Sequence, residues 1–125
     1  MGWDPSVVPD PQDPATFERS KLDWTELSEG RHAVLLDLYR QLAALRRSLP
    51  ELTDPAFPSL TATADEESRV FTLRRGDLLI AVNFSDVSVT LPEVGSLLFT
   101  TPSAATVSAD GLALPPHVGV LMRLA

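Results

Sequence analysis

Leucine returns at positions 35, 38, 42, 45 and 49, with Val34, Leu36 and Tyr39 beside it and charged or small residues between. This is the spacing of one helix face, and it predicts an amphipathic helix over 31–49 with a stripe wide enough to face a core. Arg46 and Arg47 fall in the last turn, where cations complement unpaired carbonyls, and Pro50 stops the run. Ser28 is the expected N-cap, without a capping box because Arg31 stands where a glutamate would close it.

Beyond a linker at 51–59 marked by Pro55 and Pro58, the period shortens to that of strands. The runs are Leu60–Ala64, Val70–Arg74, Leu78–Phe84, Val87–Leu91, Ser96–Thr100, a short Thr106–Ser108 and Val118–Leu124. Val118, Val120, Met122 and Leu124 alternate with Gly119, Leu121 and Arg123. Asp65-Glu66-Glu67-Ser68 reads as a polar turn, and Arg75-Gly76-Asp77 as the tight turn of a hairpin. Turn signals about every eight to twelve residues predict a mainly β fold, an antiparallel β-sandwich or partial barrel, preceded by a loop and one helix.

The first thirty residues have no such period. Pro9, Pro11 and Pro14 lack an N–H and fix φ, so the segment is expected as a rigid extended loop, with one helical turn near Thr16–Ser20 capped by Thr16. A lone helix cannot bury both its own stripe and a sandwich face, and the lead-in has no core of its own, so the chain is expected to be a truncated part of a larger protein.

Charge sharpens the picture. The formal net charge is −7; residues 1–30 hold seven acids and two bases, 31–50 one and four, 51–125 nine and four. An acidic chain without a basic stripe gives no reason to expect nucleic acid. No run approaches the roughly 18 apolar residues of a membrane helix, so no membrane partner is expected. Without cysteine there is no disulfide, thiolate zinc site or cysteine nucleophile, and no cofactor or metal is expected. Met1-Gly2-Trp3-Asp4-Pro5 lacks the basic and apolar regions of a secretory signal, which sets a cytoplasmic expectation.

A neutral, hydroxyl-rich ligand stays compatible with this balance. Asp10, Gln12 and Asp13 offer hydrogen bonds to sugar hydroxyls, and Trp3 or Trp24 a flat face for a pyranose. The competing reading is local: aspartates beside proline make Asx turns, and a tryptophan before a helix anchors packing. Asp23, Glu26 and Glu29 read as a solvated acidic face that suits a helix N-terminus. His32 and His117 lack a ligand pattern, and Arg19 and Lys21 read as surface ion-pair partners. Asn83-Phe84-Ser85 matches a glycosylation sequon, with no signal peptide to make it relevant.

The segment Val-Pro-Asp-Pro-Gln-Asp-Pro-Ala-Thr-Phe-Glu-Arg-Ser-Lys-Leu-Asp-Trp at 8–24, followed by His32 and Leu35-Leu36-Asp37-Leu38-Tyr39-Arg40-Gln41-Leu42-Ala43-Ala44-Leu45-Arg46-Arg47, resembles the C-terminal part of maltooligosyltrehalose trehalohydrolases. These belong to the α-amylase superfamily of glycoside hydrolases. The resemblance implies that residues 1–50 are the terminal loop and last helix of a truncated (β/α)8 barrel, and 51–125 a C-terminal antiparallel β domain. It also implies a parent enzyme that hydrolyses the α-1,4 bond joining a maltooligosaccharide to trehalose, in trehalose biosynthesis. Retaining hydrolysis needs two carboxyl groups about 5–5.5 Å apart. The family carries them on upstream barrel strands, so no residue here receives a catalytic role. Trp3, Asp10, Gln12 and Asp13 are the expected substrate-side residues, a maltooligosaccharide the parent's ligand, and the helix 31–49 a surface for self-association in the absence of the barrel. A free-standing carbohydrate-binding or subunit-interaction module is the alternative.

Overall fold

The computed structural model describes residues 8–101 and 104–125, in two compact units that meet at Arg40 and Gln41. In the first unit Asp13 is extended and caps helix α1 (Pro14–Ser20), accepting from the Ala15 amide. Pro14 takes the first helical position, where its missing N–H costs nothing. The cap is therefore Asp13 and not Thr16: the helix starts two residues earlier than its apolar content suggests, because proline is preorganised for that turn. A 3₁₀ turn (Trp24–Ser28) follows, capped by Asp23.

Helix α2 (Gly30–Ser48) runs as its leucine period requires. Its expected cap, Ser28, is engaged elsewhere, its hydroxyl donating to the Thr25 carbonyl at 3.2 Å. The Glu29 carbonyl instead accepts the first amides of the helix, from His32 and Ala33. No residue of α2 is buried, and Val34, Leu35, Tyr39 and Leu42 are exposed along the predicted stripe.

Among the described residues of the second unit eight strands form two antiparallel sheets: β1 (Leu60–Asp65), β2 (Val70–Arg75), β3 (Leu78–Asn83), β4 (Val89–Leu91), β5 (Gly95–Thr100), β6 (Thr106–Ser108), β7 (Gly111–Leu114) and β8 (Gly119–Leu124). The large sheet has the order β1-β2-β3-β8-β5 and the small one β4-β7-β6. Seven of the eight strands lie where alternation puts them. The eighth, β7, is Gly-Leu-Ala-Leu, too short and too poor in β-branched residues to declare itself. The predicted linker at 51–59 contains two 3₁₀ turns, Pro50–Leu52 and Phe57–Ser59.

Parity assigns the two faces of the large sheet. Leu79 and Ala81 of β3 and Val120 and Met122 of β8 point inward, with Leu112, Leu114 and Val118 completing the core. Leu78, Ile80 and Val82, with Leu121, take the opposite face. A bulge in β5 places Leu97 opposite Met122 but Phe99 opposite Leu121, so the strand changes face midway. The end of α2 borders this outer face. Leu42, Leu45 and Leu52 line an apolar cleft of ≈ 200 Å³ with Ile80, Phe99 and Leu121.

Candidate functional site

The proline-rich loop brings three of the four expected sugar-side residues onto one exposed turn. Asp10 Oδ1 accepts from the Gln12 amide at 2.9 Å, and the Asp13 amide donates to the Asp10 carbonyl at 3.2 Å. Asp13 Oδ1 takes the Ala15 amide at 2.8 Å as the cap of α1. Both aspartates are thus partly committed to shaping their own backbone, as Asx geometry dictates, while each carboxylate keeps further acceptor capacity. Trp3 lies outside the described residues.

Around this turn the first unit is rich in exposed apolar surface: Phe17, Leu22 and Trp24, the last 70% exposed. Trp24 is not packed as an anchor. Lys21 sits 4.6 Å from the centroid of Phe17 and pairs with Glu18 at 2.8 Å. Arg19 donates to the Ala15 carbonyl rather than to an acid. Asp23 accepts the Thr25 hydroxyl at 2.6 Å and its amide at 2.9 Å, and these bonds hold its carboxyl below the usual aspartate range. Glu26 lies 3.6 Å from His32. The acidic triplet therefore shapes turns and borders His32 instead of forming a cation cage, and among the described residues no group of His, Asp and Glu is placed to hold a metal.

In the second unit the polar residues act as pins. Asn83 falls on the inward parity of β3 and is 0% exposed. Its amide donates to the carbonyls of Val87 (2.8 Å), Leu114 (3.1 Å) and Pro115 (3.0 Å). Its carbonyl accepts the Ser85 amide and hydroxyl at 2.9 and 2.7 Å. A side chain so enclosed offers no acceptor for glycosylation. Arg75 fastens the segment after α2, donating to the carbonyls of Glu51 (3.0 Å) and Asp54 (2.6 Å). Arg123 joins Asp77 and Glu51, and both carboxylates raise its already high pKa. Sequence reasoning missed these arginines; the available signal was a cation inside strand periodicity, which must find an acceptor.

The exposed histidine His117 lies 3.0 Å from Asp86 on a turn with positive φ. No helix among the described residues is long and apolar enough to cross a membrane.

Comparison with known proteins adds to this geometry. A family model described as a domain of unknown function (DUF3459) matches residues 55–121. A malto-oligosyltrehalose trehalohydrolase of Rhizobium sp. is 46% identical over 98% of this chain and 21% of its own length. One of Brevibacterium helvolum is 44% identical over the same shares. A solved structure described as an α-amylase from Salmonella typhimurium covers 94% of this chain and 20% of its own, with 32% identity and a TM-score of 0.68. The chain spans about a fifth of the length of the curated relatives it matches, in their C-terminal portion.

Proposed function

We propose, because this chain belongs to the DUF3459 family and matches the C-terminal portion of malto-oligosyltrehalose trehalohydrolases, that it serves as the non-catalytic end of such an enzyme. In this reading residues 1–50 supply the closing loop and last helix of the (β/α)8 barrel, and 51–125 the antiparallel domain that follows it. The whole enzyme releases trehalose from maltooligosyltrehalose in the cytoplasm, by hydrolysis of the α-1,4 bond. Its two catalytic carboxyl groups belong to the barrel strands upstream.

One observation carries the reading: the match runs through loop, helix and β domain together, over 98% of the chain. The exposed part of the α2 face, Val34, Leu35 and Tyr39, supports it. A helix built with a face this apolar acquires stability by burying it, at about 1.5–3 kcal/mol per large side chain. The rest of the barrel is the natural cover, and without it the same stripe drives self-association. Asp10, Gln12 and Asp13 would then stand at the barrel rim, where their remaining acceptors meet a maltooligosaccharide.

The test is to incubate the purified chain with maltooligosyltrehalose and to measure free trehalose. None above the buffer control is expected, whereas turnover by the chain alone would overturn the reading.

A further inference from the structure

The outward face of the large sheet is covered at one end only. Along β3 it runs through Leu78, Ile80 and Val82 and continues to Phe84, whose amide donates to the Arg69 carbonyl at 2.9 Å and carries the β2–β3 ladder one residue further. The last turns of α2, which belong to the same compact unit as the sheet, lie over the first part: Leu42, Leu45 and Leu52 line a cleft with Ile80 and Val82. Phe84, at the other end, is 60% exposed. Asn83 and Ser85 on either side of it are buried and bonded to each other, so the ring is held outward by a rigid polar frame. It forgoes the burial that a phenylalanine ordinarily obtains.

Register gathers more apolar surface around that ring. Ala64 pairs with Phe71 and Phe71 with Val82, and Phe84, Phe71, Val70 and Ala64 line an open groove of ≈ 410 Å³. A small ligand needs donors and acceptors that converge on it, and the groove's edge does not supply them. Asp65 Oδ1 is turned to its own turn, accepting the amides of Glu67 (2.9 Å) and Ser68 (3.2 Å). Glu66 and Glu67 are exposed beside it, so the rim is acidic apart from Arg69.

We propose that Phe84, Phe71 and Ala64 form a docking surface for the part of the same polypeptide that precedes this chain, which meets it with an apolar ridge edged by lysine or arginine. This occupant rests on the proposed function, in which α2 is the last helix of a barrel. Three observations select it. The groove continues, through Val82, the face that the end of α2 already contacts, so a body that carries α2 stands on this side of the sheet. The chain matches only the C-terminal 21% of a relative's length, so most of such a polypeptide lies upstream with surface to offer. The acidic rim calls for basic groups opposite, whereas a second copy laid on the same patch brings Asp65, Glu66 and Glu67 against themselves.

The chain has no cysteine, so Phe84→Cys introduces a single thiol whose labelling rate reports whether the patch is covered. The rate is compared between the isolated chain and a chimera in which this chain replaces the C-terminal fifth of the Rhizobium sp. trehalohydrolase, read by mass on the peptide that carries it. Labelling about tenfold slower or more in the chimera is expected, with no change for Asp110→Cys on the exposed turn between β6 and β7. Phe84→Asp should shorten the chimera's lifetime on heating and leave the melting of the isolated chain unaltered. Equal rates at position 84 in the two proteins, or equal slowing at 84 and 110, would overturn the surface. So would slowing in the isolated chain that grows with its concentration, which assigns the patch to a second copy. A chimera that shields position 84 but releases no trehalose would keep the surface and overturn the proposed function. One that releases trehalose with position 84 fully reactive would do the reverse, and one that does not fold would count against both.

Discussion

The side-chain amide of Asn83 donates to the backbone carbonyl of Leu114, 31 residues further along the chain, at 3.1 Å. The bond joins the end of the large sheet's β3 to the end of the small sheet's β7, so a single polar side chain ties the two layers of the sandwich. Replacing Asn83 by alanine leaves buried carbonyls without donors. A loss of about 1–3 kcal/mol is expected, read as a lower urea midpoint with an unchanged m-value. The same substitution at exposed Ser59 should move the midpoint by less than about 0.5 kcal/mol.

Gly95 and Gly111 have φ of 156° and 125°, and a Cβ at either would collide with backbone, the Arg123 carbonyl at one and the Leu91 carbonyl at the other. Backbone cannot step aside as a side-chain tip can. Gly95→Ala and Gly111→Ala are expected to cost more than about 3 kcal/mol. Gly76 also has a positive φ, 58°, but opens onto free space. Gly76→Ala should cost only about 1 kcal/mol, for the left-handed backbone alone. Thermal melts of the three variants would show the ordering.

Much of this was legible beforehand. The hairpin around Gly76 and Asp77 pairs Arg75 with Leu78, as its turn residues demand, and the α2 period and Pro50 stop are observed within one residue. What escaped was set by tertiary context. In β7 only Leu112 and Leu114 face the core, too few for a pattern. The β5 bulge inverts parity without a glycine to mark it. Caps shifted because Asp13 and Glu29 competed successfully with the nearby Thr16 and Ser28. The loop's Asp10 and Asp13 show why residue type alone does not locate a site: the same carboxylates serve turn geometry and keep acceptors to spare.

Acid should weaken the β1–β2 turn. The hydroxyl and amide of Ser68, and then the Glu67 amide, hold the Asp65 carboxyl below the usual aspartate range. A pKa lowered by folding contributes stability that is complete above the unfolded value, about 3.9, and is lost as pH falls through the depressed folded value. The melting temperature should therefore decline below about pH 4, and less steeply in Asp65→Asn. Equal slopes in the two proteins would assign the acid sensitivity to other groups.

The uncovered face of α2 leads to an opposite expectation for stability and association. Leu35 is exposed, so Leu35→Gln should alter the unfolding free energy by less than about 0.5 kcal/mol. It should nevertheless shift a self-associating population toward monomer in sedimentation velocity, because the apolar stripe is what another copy would cover.

Trehalose release by a chimera tests the central claim most directly. In it, this chain replaces the matching C-terminal fifth of the Rhizobium sp. malto-oligosyltrehalose trehalohydrolase. If loop, helix and β domain are the structural end of such an enzyme, the chimera should fold and release trehalose from maltooligosyltrehalose, while the host lacking that fifth should release none. A folded chimera without activity, or a shortened host as active as the intact one, would contradict the account.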